Sequence, residues 1–210
     1  MTICPADPAA MQTAPQRHGQ GLVLVGLGEA GLSGLGGLPD LDQAAAQLAA
    51  LLAMPLQQLT PLANPGRALA ALHPHSSDQR SWLAALPLDV GRPLDSGGCW
   101  ADHLGAWAQP CLLVVSAPQL ESGLPKAGVA LLRLLKIPLV GVVQQGGCWD
   151  PAARRADGMP WLGWLPALEP VAEDSNALAQ AEAMAEMVGT ALLNRWHRIG
   201  AQAAVAAPQA

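Results

Sequence analysis

Short apolar runs alternate with longer helical patterns along this chain of 210 residues. The run Leu22–Val25 predicts a buried strand, and a helix is predicted over Leu41–Met54 behind a capping Asp40. The run PCLLVVSA is continuous and β-branched at its centre, which is typical of a strand covered on both faces of a parallel sheet. This alternation predicts a single-domain α/β sandwich in which helices cover both faces of a mainly parallel sheet.

The remaining segments continue the alternation. Strands are predicted over Leu56–Leu62 and in the apolar segments IPLVGVVQQ and PWLGWLP. Helices are predicted around Ala101–Ala108, in PKAGVALLRLLK and in the amphipathic segment NALAQAEAMAEMVGTALLNRWHRI near the C-terminus. Residues 66–95 are the least regular part, because Pro, Gly, His and Ser interrupt them, and LAALPL predicts either a strand or a helix.

The two ends of the chain are polar or of low complexity. We therefore assign the domain to residues 21–199, with a flexible tail over 1–20 and a disordered tail over 200–210. The first tail lacks the basic and apolar regions of a secretory signal, and two charges and a proline interrupt the apolar stretch Ala127–Val143. Four cysteines without a C-x-x-C pair fit reduced thiols. We expect a cytoplasmic protein that does not enter a membrane.

The charge balance argues against nucleic acid as a partner. The chain has 11 basic and 16 acidic residues, so it has no excess of cations to neutralise phosphates. It also has no Phe and no Tyr on which bases could stack, and its seven Trp are expected to fill the core or an interface.

The segment GLVLVGLGEAGLSGLGGLP has the form of a strand that leads into a phosphate-binding loop. Gly26, Gly31 and Ser33 stand in the register of the P-loop pattern G-x-x-x-x-G-K-[ST], but Leu32 takes the place of the lysine. The Ser33 hydroxyl remains in position to hold Mg²⁺, which makes it the candidate metal ligand. Glycines and a proline delay the next helix to about Asp40, so the helix N-terminus is not expected to face a bound anion.

The same glycines allow two other interpretations. Gly26, Gly28 and Gly31 also spell the dinucleotide fingerprint G-x-G-x-x-G, which predicts a dinucleotide-binding oxidoreductase domain. That pattern needs an acidic residue about 20 positions later to hold ribose, and Met54–Gly66 contains none. The remaining interpretation is a glycine-rich turn that binds no ligand.

From Gly21 to Pro166, the order of motifs resembles the dethiobiotin synthetase family of P-loop ligases, which is related to MinD and Mrp-type ATPases. LVLVGLGEAGLS is similar to the strand and phosphate loop of that family, and LTPLANPG to its second strand. RPLDSGGCWADH is similar to a segment that enters a helix, and AQPCLLVV to the following strand. IPLVGVVQQ and MPWLGWLP resemble the strand that ends in an adenine-recognising Asn and the stretch that flanks the base.

This resemblance implies an ATP- and Mg²⁺-dependent ligase that belongs to biotin biosynthesis. The nucleotide-binding positions that it implies are Gly26, Gly28, Gly31, Ser33, Gln145 and Pro166. The chain departs from the family where the chemistry would be, since Leu32 and Thr60 replace two lysines and Gln145 replaces the Asn. Ala85 stands at the position where the resemblance implies a family carboxylate. Because phosphoryl chemistry depends on preorganised cations, these losses predict that ligation is lost.

Lys126 and Thr60 are the candidate catalytic residues that remain. Lys126 follows Pro125 at a predicted helix start, on the side of the sheet where α/β proteins bind ligands. A solvated lysine at the start of a helix is the ordinary alternative, and we expect it here.

Two GGCW tetrapeptides, Gly97–Trp100 and Gly146–Trp149, invite a metal or redox interpretation. Cys99 precedes Asp102 and His103, which partly meets the needs of a thiolate nucleophile. No further ligands have suitable spacing, so we expect these cysteines to pack as small apolar groups. His73 and His75 in the HPH segment are likewise expected to be loop residues.

These observations favour a non-catalytic dethiobiotin synthetase-like protein that binds a small-molecule ligand or a partner and needs no cofactor. The alternative is an active dethiobiotin synthetase with a rebuilt site that uses ATP and Mg²⁺. In that case Ser33 would hold Mg²⁺, and Gln145 and Pro166 would lie near adenine.

We also expect a homodimer. The resembled family is dimeric through the helix that corresponds to PKAGVALLRLLK, in which Val129, Leu132 and Leu135 share one face. Leu131 and Leu134 lie well around the helix from them and need another cover. The competing cover is the C-terminal helix, through its apolar residues Met184, Met187, Val188 and Leu192.

Overall fold

The computed structural model describes residues 21–60, 64–73, 81–166 and 175–206, and within the last range it describes the side chains of 182–201. The predicted tail over 1–20 lies outside these residues, as do His75 and residues 207–210 of the predicted C-terminal tail.

Six parallel strands form one sheet in the order β2-β3-β1-β4-β5-β6. The strands are β1 (Gly21–Gly26), β2 (Leu56–Gln58), β3 (Trp82–Asp89), β4 (Cys111–Ser116), β5 (Leu139–Gln145) and β6 (Trp161–Leu165). The helices are α1 (Leu41–Leu52), α2 (Pro65–Leu72), α3 (Trp100–Ala106), α4 (Leu124–Leu134), α5 (Pro151–Ala156) and α6 (Ser175–Ala206). Two 3₁₀ turns cover Gly34–Gly36 and Ala117–Glu121. The predicted α/β fold with a parallel sheet is confirmed.

Two apolar clusters form the core. Leu22 and Leu24 belong to one cluster with α1 and α6, whereas Val23 and Val25 belong to the other with α2, α3 and α4. Because alternate residues of a strand point to opposite faces, the two clusters lie on opposite sides of the sheet. Every residue of β1 is buried, which explains why its sequence is continuously apolar.

The start of α1 agrees with the prediction from the sequence. The Asp40 carboxylate accepts the backbone N–H of Gln43 at 2.9 Å, which satisfies one of the free donors at the helix N-terminus. The helix ends at Leu52, two residues earlier than predicted, because Ala53 adopts a left-handed conformation with φ of 50°.

The irregular middle of the chain contains a helix and a strand. Asn64 accepts the backbone N–H of Arg67, and Pro65 occupies the first turn of α2, so this helix starts just before the residues expected to be irregular. LAALPL belongs to β3, which settles the choice between strand and helix. The second predicted strand is confirmed only over Leu56–Gln58. The short helix α5 was not predicted.

The C-terminal helix differs from the prediction in length and in location. It continues to Ala206, so the expectation of a disordered tail is wrong for residues 200–206. Its Val188, Leu192 and Trp196 pack with α1, on the opposite side of the sheet from α4. The competing idea that this helix covers the apolar surface of α4 is therefore wrong. Within the described ranges, no helix combines the length and the apolar character needed to cross a membrane.

Candidate functional site

The direction in which the chain winds along the sheet reverses between β1 and β4. The chain leaves β1 toward β2 and β3 on one side, whereas β4 leads to β5 and β6 on the other. Parallel α/β sheets bind ligands outside the carboxyl ends of the strands at such a point. Residues 27–39, which we call the glycine loop, follow β1 here, and the 3₁₀ turn Ala117–Glu121 follows β4.

The glycine loop is folded back on itself by backbone hydrogen bonds. The N–H of Glu29 donates to the carbonyl of Gly36 at 2.8 Å, and the N–H of Leu38 donates to Glu29 at 3.1 Å. Gly28 has a φ of 120°, and a Cβ there would lie 2.7 Å from the carbonyl carbon of Gly37. A phosphate-binding loop directs its N–H groups toward one anion. In this loop, at least the N–H of Glu29 donates to a carbonyl of the loop itself.

A carboxylate of the chain itself accepts hydrogen bonds from backbone N–H groups that follow β1 and β3. Asp89, the last residue of β3, accepts the N–H of Gly28 on Oδ2 and the N–H of Gly91 on Oδ1, each at 2.7 Å. Hydrogen bonds from backbone N–H groups to an ionised carboxylate are short and strong. Asp89 therefore stands as an internal anion against the loop in which a phosphate would be expected.

Gln119 joins the glycine loop to the end of β4. Its side chain is 2% exposed, and its Nε2 donates to the carbonyls of Leu27 at 2.6 Å and Gly37 at 2.8 Å. Its Oε1 accepts the N–H of Ser116 at 3.1 Å. One buried amide thus uses both of its polar atoms to hold the glycine loop against the end of β4.

The N-terminus of α1 is occupied by acidic and amide groups. Asp40 caps it and Asp42 lies in its first turn, so negative charge already faces the positive end of the helix dipole. Gln145, the predicted adenine contact, is buried, and its Nε2 donates to the Asp40 carbonyl at 2.8 Å and to Gln43 Oε1 at 3.0 Å. Its amide nitrogen is therefore engaged by α1.

The other predicted nucleotide contacts are spread around these groups. Gly26 is buried at the end of β1, whereas Gly31 and Ser33 are exposed in the glycine loop. The Ser33 hydroxyl makes no capping hydrogen bond to the 3₁₀ turn that it precedes. The carbonyl of Pro166 accepts Gln47 Nε2 at 2.9 Å, one helical turn beyond Gln43.

The two candidate catalytic residues are exposed and lie apart. Thr60 follows β2 at the edge of the sheet, with β3 between that strand and β1. Lys126 is the third residue of α4 and is exposed, as expected of a solvated lysine at a helix start. Neither belongs to the hydrogen-bonded cluster formed by Gly28, Asp89 and Gln119 in the described structure.

Cys99 is held as a thiol. Its Sγ donates to Asp102 Oδ2 at 3.2 Å, and its N–H donates to the same oxygen at 2.7 Å. Burial raises the pKa of the Cys99 thiol above its usual value, and the side-chain hydrogen bond and the charge of Asp102 act in the same direction. A raised pKa lowers the thiolate fraction, which is the opposite of what a nucleophile needs.

The glycine pairs of the two GGCW tetrapeptides have similar φ values. All four glycines have φ between 65° and 87°, so each pair forms a bend that only glycine enters without strain. Across the described parts of the chain, no three His, Cys, Asp or Glu side chains gather as a metal site would require. His73, which was expected to be a loop residue, follows the last residue of α2, pairs with Gln109 at 2.9 Å and stacks on Trp107.

Comparison of the sequence with models of known protein families and with curated proteins finds no match. Asp89 and Gln119 were not singled out from the sequence. Asp89 carried a usable signal, because a polar residue that ends an apolar strand lies at the ligand-binding edge of a parallel sheet. Gln119 carried none, since its two acceptors are 92 and 82 positions away.

Proposed function

We propose that this protein is a non-catalytic dethiobiotin synthetase-like α/β protein that binds a protein partner through its glycine loop. The observation that carries this proposal is the Asp89 carboxylate, which takes the N–H of Gly28 at 2.7 Å. A phosphate brought to this donor would meet a negative charge already bonded to it. The acidic groups at the start of α1 disfavour the same ligand.

The missing lysines support the loss of ligation. Leu32 stands at the position of the phosphate-loop lysine, and Thr60 stands at that of the second-strand lysine implied by the resemblance. Losing one preorganised stabiliser of developing charge typically costs about 10²–10³ in rate. No cation near the glycine loop replaces them among the hydrogen bonds of the described residues.

The loop tip supports a partner-binding role. Leu32 is 55% exposed and Leu35 is 51% exposed, and they are two of the five exposed large apolar residues in the described structure. Both stand in a loop whose backbone is fixed by Asp89 and Gln119, so the apolar tip is preorganised. We place this role in the cytoplasm, in keeping with the free thiols of Cys99, Cys111 and Cys148.

Two measurements test the loss of enzymatic function. Calorimetric titration with MgATP is expected to give no saturable heat up to about 1 mM, and a micromolar dissociation constant would overturn the proposal. Incubation with ATP, Mg²⁺, bicarbonate and 7,8-diaminopelargonate is expected to yield no dethiobiotin above background. Product formation that is lost in Ser33→Ala would restore the ligase assignment.

Site-specific photocrosslinking in the native cell tests the partner. A photoreactive residue at exposed Ser33, between the two leucines, is expected to trap a discrete partner, and Leu32→Ser with Leu35→Ser should abolish the product. The same photoreactive residue at exposed Asp95 is the control. No product at position 33, or the same product at position 95, would contradict a binding role of the loop.

A further inference from the structure

A concavity of about 500 Å³ opens between α6 and the start of β5. It lies at the amino-terminal end of a parallel strand, whereas the glycine loop follows the carboxyl end of β1, so the two features are on opposite edges of the sheet. Its volume falls within the range of about 300–1,000 Å³ that is typical of small-molecule sites. The residues that line it are Leu139, Ala191, Asn194, Arg195, Arg198 and Ile199.

One face of α6 supplies most of this lining. Positions 191, 194, 195, 198 and 199 follow the spacing i, i+3, i+4, i+7 and i+8, which brings their side chains to the same side of a helix. The neighbouring residues Leu192 and Trp196 are buried against the core and hold this part of α6 in place. The site is therefore built on a fixed element, with an apolar wall and a polar wall.

The polar wall carries an uncompensated positive charge. Arg195 is half-buried and Arg198 is exposed, and like charges three positions apart on a helix repel each other. Neither arginine forms an ion pair with a carboxylate in the described part of the chain. The sequence also contains no acidic residue from Ser122 to Trp149 or from Met187 to Ala210, although the chain as a whole has a net charge of -5.

We propose that this concavity, which we call the arginine pocket, binds a small anion that carries an apolar body, such as an alkyl or aryl phosphate or carboxylate. The two guanidinium groups would share the anionic group, because planar guanidinium forks match carboxylate and phosphate oxygens. The Asn194 amide can donate a further hydrogen bond. Leu139, Ala191 and Ile199 would cover the apolar body. This proposal is independent of the partner role of the glycine loop.

Titration of the ¹⁵N-labelled full chain with octyl phosphate below its micellar concentration tests the arginine pocket. Saturable shifts are expected for the amides of 194–199 and for Leu139. Octanoate should produce the same pattern if any anion suffices, whereas phosphate selectivity would appear as weaker binding of octanoate. Octyl glucoside, which is neutral, and inorganic phosphate, which lacks the apolar body, should each bind on the order of tenfold more weakly.

Matched variants decide whether the arginines carry the binding. Arg195→Gln with Arg198→Gln should weaken octyl phosphate binding on the order of tenfold or more. Arg92→Gln with Arg155→Gln removes the same charge from exposed sites elsewhere and should leave binding unchanged. If the double variant does not fold, Arg198→Gln alone, which changes an exposed position, replaces it and should also weaken octyl phosphate binding. Equal binding by the arginine variants and the wild type, or unsaturable shifts spread over the protein, would overturn the proposal.

Discussion

Asp89 and Gly28, which are 61 positions apart in the sequence, are joined by a hydrogen bond of 2.7 Å between a carboxylate oxygen and a backbone N–H. The bond links the carboxyl end of β3 to the loop that follows β1. The same carboxylate also accepts the N–H of Gly91, two residues later in the chain, so one side chain holds the turn after β3 against the loop after β1.

Asp89→Ala is expected to lower the free energy of unfolding by about 2 kcal/mol, because it leaves two backbone donors without their charged acceptor. It should also create a weak anion site, since the freed N–H groups point into the space of the carboxylate. Phosphate should therefore raise the melting temperature of this variant more than that of the wild type at equal ionic strength. Asp95→Ala, at an exposed position, controls for general effects of phosphate. Equal phosphate effects on the two variants would argue against the internal anion.

Gln119→Glu is expected to destabilise the protein more than Gln119→Ala. The carboxylate cannot donate to the carbonyls of Leu27 and Gly37, and it would add a buried charge facing two oxygens. The alanine variant should lose about 1–3 kcal/mol and expose the amides of the glycine loop to hydrogen exchange. Gln58→Ala at the exposed end of β2 is the control. Unchanged exchange at Glu29 and Leu38 in Gln119→Ala would contradict the bridging role.

Comparing Gly28→Ala with Gly31→Ala separates the cost of a steric clash from the cost of a positive φ. Both glycines have positive φ, at 120° and 83°, but only Gly28 faces atoms of the loop, with Gly37 2.7 Å from a Cβ. Gly31 faces open space within 4 Å. We expect Gly28→Ala to cost about 1–3 kcal/mol more than Gly31→Ala in chemical denaturation. Equal costs would show that the loop does not close as described.

Alkylation rates test the thiol state of Cys99. In a Cys4→Ser background, the exposed Cys148 should react first, Cys99 more slowly, and the fully buried Cys111 only on unfolding. The raised pKa of Cys99 means that its thiolate, and with it the reaction rate, increases only as pH rises beyond the usual thiol range. Asp102→Asn should accelerate labelling of Cys99 at pH 8, as followed by mass spectrometry. A Cys99 that reacts faster than Cys148 at neutral pH would support a nucleophile instead.

The homodimer stays a prediction, but only one of the two leucines of α4 that were expected to need another cover is exposed. Leu131 packs against the apolar cluster beneath α4, so its expected need for an external cover is wrong. Leu134 is 78% exposed. Light scattering is expected to give twice the chain mass of 21.6 kDa, and Leu134→Glu should reduce it to the monomer. Lys126→Glu, at an exposed position earlier in α4, is the control. A monomer at micromolar concentrations would exclude the dimer.

Local patterns in the sequence were sufficient for the main elements of the sheet. The continuous run of β4 and the apolar start of β1 predicted buried strands, because strands covered on both faces cannot alternate with polar residues. Asp40 predicted the start of α1, because a cap bonds to the N–H three residues later. The delayed helix and the absent lysine were likewise visible in the sequence, since both are local features of the glycine loop.

Only the tertiary structure decided which groups meet around that loop. Gln119 reaches Leu27 across 92 positions, and Gln145 reaches Asp40 across 105, because β4 lies beside β1 in the sheet and β5 lies beside β4. The order of parallel strands is determined by how helices cross over the sheet, and the periodicity of a single segment contains no information about that order. The same reason explains α6: its sequence predicted an apolar face, while packing against α1 determined which side of the sheet that face covers.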